Sequence, residues 1–302
     1  MTALPAFLTP TRRAAVRDGL FLAGVIFNVA LLVIWGPTLF LWIDARTWAA
    51  IDLDNLYHGA ELGADRAFLY SPAAAWLMVP LSWLSWPALI AVLTSLNLAA
   101  VAILGRRYAP LLVIGFPPVL LELLNGNIHL LMALAIWAGL RWPVAWAFVL
   151  LTKVTPGVGV VWFIARREWR NVALALGSTG LIVIVGVLIA PQLWADWFAT
   201  LARANGTPAT SSVVPLPIRL PIAILIAWYA GRTDRAWLVP VACVAAMPAL
   251  WLQSTALLTA CFPLWWERSR WVRARGSAAS GVDPMPRDVG VDHHLDQLLE
   301  GH

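Results

Sequence analysis

The segment FVLLTKVTPGVGVVWF, Phe148–Phe163, places the only lysine of the chain, Lys153, in the middle of an apolar run. Apolar segments of about 20 residues, the length that crosses a hydrocarbon core of roughly 30 Å, recur from Leu20 to the neighbourhood of Trp266. The whole chain is 61% hydrophobic and 12% charged, with a mean hydropathy of +0.76. Soluble domains do not have this composition. The sequence therefore predicts an all-α polytopic membrane protein.

Ten transmembrane helices are predicted from the lengths of the apolar runs and the charges between them. The first run is too long for the apolar core of a signal peptide and lacks a small-residue cleavage pattern, so we expect it to be retained. The predicted spans are residues 20–43, 71–86, 87–104, 110–125, 127–140, 143–165, 171–190, 214–230, 236–252 and 254–267.

Arginine clusters predict the orientation. They precede the first span, recur at residues 166–170 and 232–235, and follow the last span at 268–275. Positive residues favour the cytoplasmic side, so both termini are expected in the cytoplasm of a plasma-membrane protein. Residues 44–70, which we call the acidic segment, contain five acidic residues against two arginines and are expected to face outward.

Three regions follow from this pattern: a cytoplasmic N-terminal segment 1–19, a membrane domain 20–267, and a tail 268–302 that is basic and then disordered. Cys243 and Cys261 lie in apolar runs without metal-like spacing, which favours small buried side chains. The net charge of +5 comes from arginines at the ends of apolar runs. Nucleic-acid binding is therefore excluded, and no metal or cofactor is expected.

The acidic segment is semi-apolar and is expected to form short interfacial helices at the membrane surface. A carboxylate held there is partly shielded from water, which raises its basicity and places it beside lipid-borne substrates. The aspartates of this segment are therefore candidates for a general base. The alternative is that these side chains only solvate a loop.

Lys153 is expected to be functional because a lysine within a membrane span is costly unless it meets an anion or a water-filled cavity. Pro156, Gly157 and Gly159 should break the helix after it and open a polar niche that suits an anion. Snorkelling of the ammonium to an interface is the alternative. Arg219 is a second candidate for contact with an anion, with an interfacial anchor as its alternative.

Four stretches resemble the family 87 glycosyltransferases, in the order in which that family carries them. They are IDLDNLYHGAEL with FLYSPAAAWLMVPLSWL, then NGNIHLLMALAIW, then LLTKVTPGVGVVWFIARREWR, and finally AMPALWLQSTALLTACFPL, so that the resemblance runs from Asp52 to Leu264. Departures from the family pattern are Asn127 in place of Gln, His129 in place of Asn, and Gln253 with Ser254 where many members have histidine.

This resemblance implies a GT-C-type bundle and an inverting transfer of a sugar, mannose in that family, from a polyprenyl-phosphate donor to a lipid or glycan acceptor on the outer face. It implies that Asp52 or Asp54 is the general base, that Lys153 and Arg219 are candidates for contact with the donor phosphate, and that His58 is a candidate contact to sugar or acceptor. It also implies that Tyr57, Tyr70, Asn127, His129 and Gln253 contact substrate. A lipid or small-molecule transporter and a catalytically inactive subunit of the same fold are the alternatives that the sequence leaves open.

Overall fold

The computed structural model describes residues 10–35, 41–58, 60, 66–205 and 214–266, and within these ranges the chain is helical without a β-strand. The helices, numbered in chain order, are α1 (Pro10–Ala30), α2 (Ile43–Ala49), α3 (Pro72–Ser82), α4 (Trp86–Gly105), α5 (Ala109–Gly115), α6 (Pro117–Asn125), α7 (His129–Gly139), α8 (Trp146–Thr152), α9 (Val161–Ala165), α10 (Trp169–Ile189), α11 (Pro191–Asn205), α12 (Leu216–Thr233) and α13 (Leu238–Ala245). A π-helical turn follows α1 at Leu31–Trp35, and 3-10 segments occupy Arg106–Tyr108, Pro143–Ala145, Thr155–Val160 and Leu252–Ala260. This agrees with the predicted all-α class.

The predicted count of ten membrane-spanning helices is not supported. By length and composition, three described helical stretches could cross a membrane: Ala14–Ile34, Trp86–Gly115 and Trp169–Ile189. A fourth crossing results if α6 and α7, which are bent by 118° at a short break, form one broken span.

The difference has a local cause, because proline and glycine divide several of the predicted spans. The predicted span 143–165 consists of α8 and α9 with a 3-10 segment before each of them. Pro156 removes a backbone donor and cannot continue a helix. Conversely, the gap between the predicted spans 87–104 and 110–125, which contains Arg106 and Arg107, is only a 3-10 turn within one apolar helical stretch, Trp86–Gly115.

Helix α10 illustrates the lipid-facing surface that these lengths imply. Its apolar side chains project away from the rest of the protein, with Leu181 63% and Leu188 78% exposed. A helix of this length that is apolar on its outer side is stable in hydrocarbon and unfavourable in water.

The largest apolar core joins α2, α3, α7, α8 and α10 around two tryptophans, Trp48 and Trp146, that are both 0% exposed. Helix α3 begins at Pro72 because the Ser71 side chain caps it by accepting from the Ala74 N–H. The Ser71 hydroxyl also donates to the Leu151 carbonyl at 2.6 Å. This contact holds the end of the acidic segment against the end of α8.

The chain divides into a unit of residues 1–265 and a second unit of residues 266–302. Apart from Trp266, the second unit lies outside the described residues, and so does the predicted tail 268–302. The same holds for residues 1–9 of the predicted N-terminal segment.

Candidate active site

A polar cluster lies where α2, α6, the start of α7 and the end of α8 meet. It consists of Asp44, Glu122, Asn127, His129 and Lys153. Glu122, Asn127 and His129 are 0%, 4% and 1% exposed, whereas Asp44 and Lys153 are half-buried. Ionisable groups in an apolar protein are stable only when they are paired or hydrogen-bonded. The two half-buried charges form the accessible side of the cluster, and the other three support them from behind.

The turn between α6 and α7 positions Asn127. Helix α6 ends because Gly126 adopts a left-handed conformation with φ +66°, which glycine tolerates without a steric penalty. The Asn127 Oδ1 atom accepts from the Ile128 N–H at 2.7 Å, and the Asn127 carbonyl accepts from the Asn97 side chain at 2.8 Å. With its carbonyls occupied, Asn127 directs its Nδ2 to Asp44 Oδ2 at 2.7 Å.

Helix α2 is fastened to the same turn, which fixes the position of Asp44. The Trp42 N–H donates to the Leu124 carbonyl at 2.8 Å, and Trp48 Nε1 donates to the Gly126 carbonyl at 3.1 Å. The approach is so close that a Cβ atom added to Gly126 would lie 2.9 Å from the Ala45 Cβ. Asp44 is therefore held by its own helix as well as by its side-chain bond to Asn127.

Glu122, His129 and Lys153 form a hydrogen-bonded line. One Glu122 oxygen accepts from the His129 backbone N–H, and the other lies 2.9 Å from His129 Nδ1. On the opposite side of the ring, His129 Nε2 lies 2.6 Å from Lys153 Nζ. The imidazole thus joins a buried carboxylate to the only lysine of the chain.

Lys153 reaches this line because helix α8 ends one residue before it. The residue has extended backbone, with φ −141° and ψ 110°, and the 3-10 segment that contains Pro156 follows. The ammonium also lies 5.8 Å from the centroid of the Tyr70 ring, within the range of a cation–π contact. The predicted helix break next to Lys153 is present.

The environment of Asp44 makes its carboxylate more basic than that of an exposed aspartate. Burial raises the pKa of Asp44 above its ordinary value, and the negative charge of Glu122 raises this pKa further. Lys153, His129 and the hydrogen bond from Asn127 act in the opposite direction with smaller effects. The carboxylate consequently combines increased basicity with partial accessibility, and among the described residues only its Oδ2 atom accepts a hydrogen bond.

Aromatic side chains from the acidic segment close one side of the cluster. Tyr70 lies 5.0 Å from the Trp48 ring and 5.4 Å from the Phe68 ring, measured between centroids. The Tyr57 hydroxyl donates to the Tyr70 carbonyl at 2.7 Å, and burial raises the pKa of Tyr57, so this donor stays protonated. Tyr57 and Tyr70, both predicted to contact substrate, are thus in contact with one another beside Lys153.

Asp52 and Asp54, the predicted base candidates, are both exposed. The Asp52 carboxylate accepts from the Asp54 N–H and from Asn55 Nδ2, each at 3.1 Å. These contacts describe a side chain that caps a tight turn. His58, in the following turn, is also exposed. The structure does not place these three side chains in the polar cluster, and their predicted roles stay predictions.

Arg219 is buried at the start of α12, where its guanidinium donates to the backbone carbonyls of Val214 at 2.7 Å and Ala245 at 2.8 Å. These contacts connect α12 to the end of α13. Gln253 is half-buried in the 3-10 segment Leu252–Ala260. The substrate contacts predicted for both residues stay predictions.

Sequence reasoning did not select two members of the polar cluster, Asp44 and Glu122. A signal for Glu122 was present, since it is the lone ionisable residue of the apolar run PPVLLELLNGN, and the rule that selected Lys153 applies equally to an acid. Asp44 carries no such signal, because it is one of five acids in the acidic segment. Only the packing of α2 on the Gly126 turn distinguishes it.

Comparison with known proteins places the chain in a family. The sequence model of glycosyltransferase family 87 matches residues 68–282, which is most of the chain. The chain belongs to glycosyltransferase family 87. The match begins at Phe68 and so includes four members of the polar cluster of this family 87 protein, but not Asp44.

A curated relative of this family 87 protein comes from Mycobacterium tuberculosis (strain ATCC 25618 / H37Rv). It is a polyprenol-phosphate-mannose-dependent alpha-(1-2)-phosphatidylinositol mannoside mannosyltransferase, 27% identical over 204 residues that cover 54% of this chain and 47% of the relative. The chain thus spans about half the length of that relative. No solved structure matches the chain. Among the described residues, no group of three or more His, Cys, Asp or Glu side chains is arranged to hold a metal ion.

Proposed function

We propose that this protein is a membrane glycosyltransferase that moves a sugar, mannose in the first instance, from a polyprenyl-phosphate donor to a lipid or glycan acceptor. Membership of family 87 and the stated donor of the mycobacterial relative support this class of reaction. The observation that carries the proposal is the presence of a half-buried carboxylate, Asp44, and the half-buried Lys153 in one polar cluster, where each charge acts on the other through space. A base for the acceptor and a cation for the departing phosphate are the two groups that this reaction needs.

In the proposed mechanism, Asp44 takes the proton of the acceptor hydroxyl as the oxygen attacks the anomeric carbon. The bond between that carbon and the phosphate oxygen breaks, and the bonding electron pair leaves with the polyprenyl phosphate. A single displacement inverts the configuration of the anomeric carbon. In this mechanism the positive charge of Lys153 stabilises the charge that develops on the leaving phosphate.

Asp44 is favoured over Asp52 and Asp54 as the base by its surroundings. Its carboxylate is partly withdrawn from water and held by Asn127, whereas the Asp52 carboxylate is exposed and accepts hydrogen bonds within its own turn. A general base gains from reduced solvation because its pKa rises towards the working pH. Asp52 remains the rival base, and mutation decides between the two.

The arginine distribution supports a plasma-membrane topology with both termini in the cytoplasm and the acidic segment outside. In that orientation the polar cluster lies near the outer face, where a lipid-linked donor and a membrane-bound acceptor can both reach it. Tyr57, Tyr70, Asn127 and His129 would line the donor site in this arrangement. His58, Arg219 and Gln253 lie beyond the described contacts of the cluster and are proposed only as peripheral substrate contacts.

The test is sugar transfer in liposomes that contain the purified protein. Radiolabelled mannosyl phosphoryl polyprenol is supplied with a membrane glycolipid fraction, and GDP-mannose serves as the matched donor without a lipid carrier. We expect transfer from the polyprenyl-linked donor alone, and a raised donor KM in Lys153→Met. Absence of transfer from the lipid-linked donor would contradict the proposed function and favour an inactive member of the family.

A further inference from the structure

The Glu122 carboxylate is held by the first residues of α7, since it contacts His129 at both the backbone and the ring and also accepts from the Leu130 backbone N–H. One carboxylate oxygen accepts from the His129 backbone N–H and the other contacts the ring at Nδ1. Both residues are almost completely excluded from solvent, with exposed fractions of 0% for Glu122 and 1% for His129. The carboxylate therefore has no direct access to a substrate. Its hydrogen-bond contact with the rest of the cluster runs through the His129 ring, and its charge also acts through space on Asp44 and Lys153.

The hydrogen-bonding capacity of Lys153 indicates which nitrogen of the His129 ring carries the proton. A charged Lys153 has three donors and no acceptor, so with the ammonium form the 2.6 Å contact places the unprotonated, accepting nitrogen of His129 at Nε2. The proton of the neutral ring then lies on Nδ1, where it is donated to Glu122 at 2.9 Å. This proton arrangement satisfies every contact in the line.

We infer that Glu122 is a positioning residue for donor binding: it fixes the His129 tautomer and, through it, holds the charged Lys153 towards the phosphate of the lipid donor. The inference rests on the proposed function for the role of Lys153 as the phosphate contact. Glu122 itself touches neither substrate nor reacting atoms. Its positioning effect is proposed to pass through the imidazole ring of His129 to the ammonium group of Lys153.

Two physical reasons support this role. A single positive charge is costly inside an apolar protein, and a carboxylate two contacts away compensates it without neutralising the ammonium directly. A lysine side chain also has four rotatable bonds, so that one fixed acceptor removes much of its freedom before the donor arrives. A carboxylate bound directly to Lys153 would compete with the phosphate, whereas a neutral imidazole does not.

The substitution Glu122→Gln isolates this role because it preserves the size of the side chain and removes one acceptor. The wild-type carboxylate accepts at both oxygens, and a glutamine offers one oxygen and one NH₂ group. If the oxygen stays on the backbone N–H, the NH₂ group faces Nδ1 and forces the proton of the ring onto Nε2. His129 would then present a donor to the Lys153 ammonium, and the contact would be lost.

The first experiment reads the tautomer directly and does not depend on activity. The protein labelled with ¹⁵N at its five histidines is reconstituted in lipid, and the His129 signals are assigned by their loss in His129→Asn. We expect protonated Nδ1 and unprotonated Nε2 in the wild type, and the reverse in Glu122→Gln. A protonated Nε2 in the wild type would overturn the inference, even if the variant failed to fold.

The second experiment measures binding of a sugar-free probe, farnesyl phosphate, to the wild type, Glu122→Gln, Lys153→Met and the double variant. Since hydrogen bonds to charged groups are strong, Glu122→Gln should weaken binding roughly tenfold or more in the wild-type background. It should change binding less than about twofold when Lys153 is already methionine, because coupled residues are not additive. Farnesol, which lacks the phosphate, should bind all four proteins alike.

Glu168→Gln is the matched control. Glu168 forms an ion pair with Arg166, with 2.6 Å between Oε1 and Nε, and neither residue belongs to the polar cluster. This substitution should therefore leave binding unchanged. Equal weakening by Glu122→Gln in both backgrounds would show a merely structural role and overturn the inference. The binding and tautomer results can be read even if the wild type transfers no sugar, so failure of the proposed function is distinguished from failure of this inference.

Discussion

Replacement of Asp44 by asparagine should remove the base and leave the site assembled. An asparagine at this position has nearly the same volume, and its Oδ1 atom can still accept the hydrogen bond that Asn127 donates at 2.7 Å. The bond loses its charge-assisted character, a change of about 1 kcal/mol. This loss is offset in part because a charge that burial and Glu122 disfavour is also removed. We therefore expect little change in the free energy of unfolding.

The catalytic loss should be much larger than the structural one. Removal of a general base typically lowers the rate by about 10² to 10⁴, which corresponds to roughly 3 to 5 kcal/mol of transition-state stabilisation. Because Asp44 is proposed to contact the acceptor hydroxyl, kcat should fall while the donor KM changes little. The assay is initial transfer rate against donor concentration in liposomes, with thermal unfolding measured on the same preparations.

Asp52→Asn and Asp54→Asn are the matched controls, since they make the same chemical change at exposed positions of the same segment. Each should retain transfer within a few-fold of the wild type, an effect of about 1 kcal/mol or less. Full activity of Asp44→Asn would refute the assignment of Asp44 as the base. Full activity of Asp44→Asn together with inactivity of Asp52→Asn would establish the base that the sequence pattern predicted.

Three further outcomes are expected. The Asn127 hydrogen bond lowers the pKa of Asp44, so Asn127→Ala should raise that pKa. Because the deprotonated base is the active form, the acid limb of the kcat/KM profile should then move to higher pH. An unchanged acid limb would contradict the assignment of Asp44. Gly126→Ala should destabilise the protein by about 1 to 2 kcal/mol, because alanine is strained at φ +66° and its Cβ would press on Ala45; a thermal unfolding temperature equal to that of the wild type would exclude this turn geometry. A cysteine introduced at Ala50 should react with an impermeant thiol reagent on intact cells and one at Trp169 only after permeabilisation, and the opposite pattern would reverse the proposed orientation.

The broad class of this protein could be predicted from sequence because it depends on local, additive properties. Apolar content and segment length predict a helical membrane protein, and the described residues agree. Ordered motifs also sufficed for the family, which the match over residues 68–282 confirms. The number of spans was predicted wrongly because hydropathy averages over residues such as Pro156 and Gly126 that break or bend helices.

The residues of the site likewise divide into those that the sequence could identify and those that it could not. Lys153 could be selected from the sequence, since one lysine in an apolar run is conspicuous whatever it contacts, and Tyr70, Asn127 and His129 were selected by resemblance. Their partners could not be selected on that basis. Glu122 precedes His129 by seven residues, a spacing that would put both on one face of a straight helix but about 10 Å apart, so only the 118° bend between α6 and α7 brings them into contact. Lys153 follows His129 by 24 residues and reaches it from the end of α8.

The sequence by itself determined that this is a membrane protein, its helical class and its family, because these properties depend on composition and on short motifs read in order. The tertiary structure alone decided which charges meet. Asp44 is one acid among several along the chain, and it becomes distinct only because α2 packs on the left-handed turn at Gly126. The hydrogen bond from Trp48 to the Gly126 carbonyl, which joins α2 to this turn, connects residues 78 positions apart in the chain. A pKa, an accessible carboxylate and a hydrogen-bonded line from Glu122 to Lys153 are properties of that packing, since electrostatic energies depend on distances in space and not on positions in the chain.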